Sequence, residues 1–188
     1  MFVIRGLLAA AMVVIVGATA APAARADGIP DEAMLQAADL GGVAPHAADA
    51  DDWPRLRPPR PCDADMPAPV TDRAVAAVID VDGAPESIME YVAVHRDAGR
   101  YLRKLRKALR DCPDWRLEGS RENGLTLRWT QRWEHVGEEI THQTYVAVAR
   151  AGRAVVVVAD SGWETSDGDP AVAERLLVSA ARRASSLR

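Results

Sequence analysis

The sequence predicts an α+β domain: a mostly antiparallel sheet of about six strands, with two long helices packed on it. Three observations lead to this prediction. Apolar runs of strand length follow one another at short spacing after residue 71. An amphipathic helical segment separates the first two runs from the last four, and a second such segment closes the chain. Consecutive strands joined by short turns pair antiparallel, and helices then cover the sheet.

The segment 27–70, which precedes the strands, is predicted to be a short helix followed by a proline-rich arm. Pro30 to Leu40 has apolar residues at helical spacing, and Gly41-Gly42 would end the helix. Prolines recur from residue 43 to residue 69. Because proline lacks an N–H donor and restricts its predecessor, this arm is expected to be extended or turning. An ordered surface arm is favoured over a proline-rich ligand for another protein.

Two strands and the clearest helix come next. The strands Arg73 to Val81 and Ser87 to His95 are joined by the turn signal Asp82-Gly83-Ala84-Pro85. Asp97 to Cys112 places its apolar residues on one helical face, begins at a capping aspartate and stops before a proline.

A meander and a closing helix complete the predicted α+β part, residues 71–188, so that 27–188 forms one globular unit. The four strands are Trp115 to Ser120, Gly124 to Trp133, Ile140 to Arg150 and Arg153 to Asp160. The last is continuously apolar and is therefore expected at the centre of the sheet. Asp169 to Leu187 is the second long helix.

Residues 1–26 are predicted to be a secretory signal peptide. Arg5 is followed by an apolar run and then by small residues, the usual order of a signal peptide. Cleavage sites end at Ala20 and at Ala26; the second is favoured because a polar chain follows it, and the choice stays open. An uncleaved membrane anchor is the alternative, and it would be the chain's only membrane contact.

The charge balance disfavours a nucleic-acid-binding function. Removing residues 1–26 takes away Arg5 and Arg25 and no acidic residue, which changes the net charge from −4 to −6. Nucleic-acid-binding domains normally carry a basic excess. A single domain of this length can bury a substantial core, and a monomer is expected.

Cys62 and Cys112, the two cysteines of the chain, are predicted to form a disulfide. On the chain-entropy account the bond would contribute about 4 kcal/mol. A two-cysteine metal site or a redox pair is the alternative, but no CxxC spacing occurs and no histidine is close in sequence.

Catalytic motifs are absent from the sequence, and no enzymatic activity is expected. It contains no P-loop, GxGxxG, GxSxG or EF-hand pattern. Ser161 follows the central strand, and a histidine and an aspartate could in principle complete a triad around it. Paired carboxylates could also be drawn from several glutamates, but nothing in the sequence selects two of them: Glu90, Glu118, Glu134, Glu138 and Glu139.

Neither a metal nor a cofactor is predicted. His135 and His142 flank one hairpin turn rich in glutamate and could approach each other across it. They do not have the spacing of a known ligand motif, and hairpin ends are usually polar in any case.

Three aromatic residues are the candidate ligand-binding residues: Trp129, Trp133 and Tyr145. The two tryptophans share a strand face with Leu125 and Leu127, so ordinary core packing is the favoured alternative. Amphipathic aromatic rings also suit a half-wet binding cleft.

The first long helix has a basic outer face. Its candidate residues are Arg100, Arg103, Lys104, Lys107 and Arg110. An anionic lipid head group or envelope polymer could bind there. A solvated face that pairs with acidic side chains elsewhere is the favoured alternative.

Several segments share the pattern of a known family. They are Met34–Gly42, Ile88–Val92, Ala98–Cys112, Leu125–Arg128, Val146–Val157 and Ala173–Arg175. Through them the chain, over residues 30–187, resembles the PknH-like extracellular domain, a sensor-type domain found outside actinobacterial membrane serine/threonine kinases and in stand-alone secreted proteins. The resemblance implies an antiparallel sheet with helices, a cleft for a small ligand and no enzymatic activity.

The chain departs from this family in two respects. The kinase sensor domain has two disulfides and this chain can form one, and no kinase or membrane span accompanies it in this sequence. Only ligand or envelope binding therefore carries over. The expected function is a secreted, extracellular, non-enzymatic sensor-type domain that binds a small ligand or a cell-envelope component. The alternatives are an envelope-interaction protein using the basic helix face, or a secreted hydrolase.

Overall fold

A seven-stranded antiparallel sheet with two helices forms the fold, seen in a computed structural model that describes residues 28–49 and 52–187. The predicted signal peptide lies outside the described residues. The elements are β1 (His46–Ala47), β2 (Thr71–Val81), β3 (Ala84–Val94), α1 (Ala98–Leu109), β4 (Trp115–Arg121), β5 (Gly124–His135), β6 (Glu138–Ala151), β7 (Ala154–Asp160) and α2 (Pro170–Ala184). The spatial order of the strands is β1-β2-β3-β7-β6-β5-β4.

The predicted fold class and the order of the six long strands and two helices are confirmed. The seventh strand, β1, comes from the proline-rich arm and pairs with the edge of β2. Strand β7 lies between β3 and β6, and all seven of its residues are buried, as its continuous apolar sequence requires.

The turn between β2 and β3 illustrates how local sequence fixes the pairing. Asp82 and Gly83 both have positive φ angles, 54° and 86°. Such two-residue turns match the right-handed twist of the flanking strands and favour aspartate followed by glycine. The β2–β3 register therefore runs without interruption from the turn to Thr71 opposite Val94.

The two helices cover opposite faces of the sheet. On the face that we call the arm face, α1 and the proline-rich arm pack on alternate strand residues such as Met89, Tyr91 and Val157. On the other, which we call the α2 face, α2 and residues 29–40 pack on the intervening residues, such as Val92 and Val158. The alternation of side chains along each strand thus supplies two separate cores.

The disulfide between Cys62 and Cys112 is confirmed, with Cα atoms 5.6 Å apart. Cys112 lies just beyond the end of α1, so the bond ties the arm to the helix that covers the same face. At the other end of α1 the Asp97 carboxylate accepts a hydrogen bond from the Arg100 N–H at 2.8 Å. A disulfide of this kind indicates an oxidising compartment.

The prediction of a short helix from Pro30 to Leu40 is wrong. The segment contains one 3-10 turn, Asp31–Ala33, after which Met34 is extended. The next N–H group, that of Leu35, donates to the Glu90 carboxylate at 2.7 Å instead of to a helical carbonyl. A contact between residues far apart in sequence has overridden the local helical pattern.

The β5–β6 hairpin is longer than its neighbours. Strand β4 pairs with β5 only as far as Trp129, and β7 pairs with β6 only from Tyr145 onward. Residues 130–144 therefore project beyond the sheet as a two-stranded segment, which we call the ribbon. Among the described residues, no helix is long and apolar enough to cross a membrane.

Candidate functional site

A cleft of about 610 Å³ lies where the arm face meets the base of the ribbon. Its walls come from the arm, the α1–β4 loop, β5, β6 and the residue after β7. The lining residues are Asp52, Trp53, Pro54, Arg55, Asp114, Trp129, Thr130, Gln131, Arg132, Thr144 and Ser161. The volume is in the range of small-molecule binding sites.

The floor of the cleft is aromatic and fixed in position. Trp129 is directly opposite Trp115 in the β4–β5 pair, and their rings stack with centroids 5.6 Å apart and planes 10° apart. Trp115 is only 3% exposed and belongs to the core, whereas Trp129 is half-buried. Because the buried ring stacks against the outer one, it restricts the orientations open to the Trp129 indole.

The arm supplies a wall above this floor. Trp53 packs against the edge of the arm-face core, as Trp129 does. The guanidinium carbon of Arg55 lies 6.0 Å from the centre of the Trp129 ring, at the limit of a cation–π contact. The cleft therefore exists only where the arm lies against β5, and the disulfide helps to keep it there.

Polar groups line the side of the cleft formed by β6 and β7. Thr144, which is opposite Trp129 in the β5–β6 register, has its Oγ1 3.2 Å from the Ser161 Oγ. At the outer rim Arg132 pairs with Asp114 at 3.6 Å. Hydroxyl, amide, carboxylate and guanidinium groups thus surround one apolar surface.

The structure separates the three aromatic residues predicted to bind a ligand. Trp129 lines the cleft. Trp133 lies on the same strand face further along the ribbon, is 39% exposed, and has its ring 5.9 Å from that of His142. It lines a different cavity, of about 300 Å³, at the ribbon.

Tyr145, the third predicted ligand-binding residue, does not line the cleft. It pairs with Asp160 across β6 and β7, and its hydroxyl donates to Gln143 at 3.4 Å. Trp129 is opposite Thr144, so the next residue along β6 points its side chain to the α2 face.

The arm residues of the cleft, Trp53 and Arg55, are missing from the sequence-based site. They lie in a proline-rich segment whose position is set by contacts with distant strands, and no local pattern gives such contacts. The one available signal was a tryptophan in an arm that also carries a predicted disulfide cysteine.

The Ser161 region does not have the arrangement of a catalytic triad. The His142 Nε2 lies 2.7 Å from the Ser161 carbonyl oxygen, and the Ser161 hydroxyl contacts Thr144. The Asp160 carboxylate accepts from the Gly162 N–H at 3.0 Å and belongs to the α2 face. Neither the histidine nor the aspartate is therefore placed to activate the hydroxyl.

No group of three or more histidine, cysteine, aspartate or glutamate side chains could hold a metal ion within residues 28–49 and 52–187. His142 is 5% exposed and is committed to its contact with the chain after β7. Within the described residues, His135 and His142 therefore do not form part of a set of side chains that could hold a metal ion.

The basic face of α1 is divided. Arg103 pairs with Asp97 at 3.2 Å, and Lys104 pairs with Asp65 of the arm at 3.0 Å. The other three predicted residues, Arg100, Lys107 and Arg110, are exposed. Part of the face therefore stabilises the arm and helix end, and part points to solvent.

The α2 face buries carboxyl groups away from the cleft. Glu90 is 1% exposed, and burial raises its pKa to about 8. Burial and the neighbouring Asp160 carboxylate raise the pKa of Glu86 to about 7. Asp160 is fully buried and its pKa is also raised, chiefly by burial. These groups favour the protonated form, because burial disfavours the charged one.

No protein-family model, curated protein or solved structure matches this chain. The resemblance to the PknH-like extracellular domain therefore stays an expectation, and the function has to be argued from the site itself.

Proposed function

We propose that the protein is an extracellular, non-enzymatic sensor-type domain that binds a small ligand in the cleft between the arm and the ribbon. The observation that carries the proposal is the cleft floor, where the Trp129 indole is held in place by the buried Trp115 ring. A rigid aromatic surface in a concave site loses little entropy when a ligand binds to it.

The extracellular part of the proposal rests on two features. The Cys62–Cys112 bond indicates an oxidising compartment, and the amino-terminal sequence has the order of a signal peptide. Both features agree with a protein that meets its ligand outside the cytoplasm.

The non-enzymatic part is supported by the placement of the reactive groups. His142 contacts the main-chain carbonyl of Ser161 and not a cleft hydroxyl. The carboxyl groups with raised pKa values, Glu86, Glu90 and Asp160, belong to the opposite face of the sheet. A general acid or base must reach the reacting atoms, so these groups could not act on a ligand in the cleft.

Native mass spectrometry tests this function on the mature protein, purified unreduced from the culture medium of its own host. We expect an added mass that is lost on denaturation, together with the mass of the oxidised disulfide. The Trp129→Leu variant should lose the added mass, whereas Trp163→Leu, which removes an indole 41% exposed outside the cleft lining, should keep it. An added mass kept by Trp129→Leu would contradict the proposal, and so would a bare wild-type chain that also fails to bind any small molecule added to it.

A second candidate function is attachment to an anionic envelope component through the exposed part of the α1 basic face. It is favoured by the three exposed residues Arg100, Lys107 and Arg110. Reversing all three to glutamate should release the protein from the cell surface. A control triple reversal at other exposed arginines makes the same change in net charge: Arg116, Arg153 and Arg175. Equal release by both triple variants would show a general charge effect and reject this function.

A further inference from the structure

The floor of the cleft selects ligands that present a flat apolar surface. The outer indole, Trp129, is fixed by its stack on Trp115, so a ligand has to match a preset plane. Two kinds of small molecule offer such a surface, namely an aromatic ring and the C–H face of a sugar ring. The remaining groups of the cleft decide between them.

The charges of the cleft are balanced. Two aspartates, Asp52 and Asp114, and two arginines, Arg55 and Arg132, line it. One pair of them is joined at 3.6 Å, between Arg132 and Asp114. A cleft with one excess sign would concentrate ligands of the opposite sign, and a balanced one does not. The lining therefore favours a ligand without net charge.

The hydrogen-bonding groups of the cleft are best matched by a ligand with many hydroxyl groups. Gln131, Thr144 and Ser161 can each donate and accept, and the carboxylates and guanidinium groups add strong acceptors and donors. A plain aromatic ligand would cover these groups and leave them without partners, which costs free energy for each one. A sugar hydroxyl donates and accepts at once and so satisfies both kinds.

We propose that the cleft binds a neutral carbohydrate, with one sugar ring stacked on Trp129 and its hydroxyl groups bonded to Gln131, Thr144 and the charged rim. This inference rests on the proposed ligand-binding function and names the chemical class of its ligand. Trp53 of the arm also lines the site.

Tryptophan fluorescence titration and calorimetry test the proposal on the mature, oxidised protein. The neutral probes are maltotriose, xylotriose, arabinotriose and triacetylchitotriose. The comparators are trigalacturonate, which is anionic, and tryptamine, which is aromatic and cationic. We expect saturable binding of at least one neutral probe and weaker binding of both comparators.

Variants locate the binding. Trp129→Leu should weaken it by about tenfold or more, which corresponds to about 1.4 kcal/mol. Gln131→Ala should weaken it severalfold and leaves the stacked tryptophans in place, so it serves if the first variant folds poorly. The control Trp163→Leu should bind as the wild type does. Binding that both cleft variants leave unchanged would overturn the proposal, as would tighter binding of a comparator or no binding of any neutral probe.

The outcome also separates this inference from the proposed function. If the secreted protein retains a small molecule that is not a carbohydrate and the Trp129→Leu variant loses it, the ligand-binding function stands and the carbohydrate assignment is wrong. If the secreted protein is bare and no probe binds, both are wrong.

Discussion

The two faces of the sheet are built from alternate residues of the same strands, yet they bury different chemistry. The arm face combines tyrosine, tryptophan and histidine with a disulfide, and it opens into the cleft beside Trp129. The α2 face is mainly aliphatic but holds the carboxyl groups of Glu86, Glu90 and Asp160.

Burial shifts the pKa values of titratable groups on both faces towards the uncharged form, downward for a histidine on the arm face and upward for carboxyl groups on the α2 face. On the arm face His95 is 2% exposed with its ring 5.0 Å from that of Tyr101, and burial lowers its pKa. On the α2 face burial raises the pKa of Glu90 to about 8. Acidification should therefore destabilise the packing of the arm face, and a rise in pH should destabilise that of the α2 face. The comparison teaches that one sheet can carry a disulfide-linked face with an open cleft and a second face whose stability depends on pH through its buried carboxyl groups.

The largest effect is expected from removing the disulfide on the arm face. The double variant Cys62→Ser, Cys112→Ser should lower the free energy of unfolding by about 4 kcal/mol, because the reduced unfolded chain regains its conformational freedom. Urea denaturation measures the change. Ligand binding should weaken as well, since the arm carries Trp53 and Arg55.

The pH profile of the same double variant checks the comparison between the faces. Its free energy of unfolding should fall with pH between 5 and 8 with the same slope as that of the wild type, because the α2-face carboxyl groups are unchanged. A slope altered by the loss of the disulfide would mean that the two faces are not independent.

The next effect concerns Glu90. Its folded-state pKa of about 8 lies above the ordinary value near 4.3, so the folded protein holds a proton that the unfolded chain has released. This contribution to stability is complete below the ordinary pKa and is lost as the pH rises through about 8.

In the Glu90→Gln variant, the free energy of unfolding should fall less steeply than in the wild type as the pH rises towards 8, measured by urea denaturation. Its side-chain oxygen can still accept the Leu35 N–H, while the group no longer titrates. Part of the fall in stability with rising pH should remain in this variant. Glu86 has a pKa of about 7, so its own contribution to stability is lost over the lower part of the same pH range. Trp129→Leu is the control from the other face and should keep the wild-type slope. A Glu90→Gln profile identical to the wild-type profile would show that Glu90 does not enter the pH dependence.

A smaller effect of opposite sign is expected from His95. Its folded-state pKa is lowered, so its contribution to stability is present above the ordinary value near 6.5 and is lost as the pH falls below it. His95→Phe keeps an aromatic ring beside Tyr101 and removes the titration. In thermal unfolding between pH 7 and 4, the variant should gain stability relative to the wild type as the pH falls, because it lacks the unfavourable protonation of His95. A difference in melting temperature between variant and wild type that does not change with pH would show that His95 does not contribute to the pH dependence.

Local patterns predicted most of the fold. Strand β7 is recognisable from its continuous apolar run, α1 from its capped amphipathic segment, and the disulfide from the cysteine count. The short helix at Pro30 failed because Leu35 donates to Glu90, which lies 55 residues away. A local sequence pattern cannot indicate a hydrogen-bond partner so far away in the sequence.

The lining of the cleft was less accessible to prediction from the sequence, for the same reason. Trp129 could be identified as a half-buried aromatic residue on a strand, but which β6 residues share its face depends on the register across the β5–β6 turn. The observed pair of Trp129 with Thr144 puts Tyr145 on the other face. The approach of Trp53 depends on how the arm folds back onto β5, which is a tertiary property.

The central claim is that the cleft beside Trp129 binds a small ligand, and two-dimensional NMR of the indole N–H groups tests it most directly. The chain has five tryptophans, each with its own signal. The protein would be titrated with a fragment library of sugars, amino acids, nucleosides and aromatic acids. The account predicts saturable shifts of the Trp53 and Trp129 signals and an unmoved Trp163 signal. Shifts confined to Trp133 or Trp163, or no shift with any fragment, would contradict it.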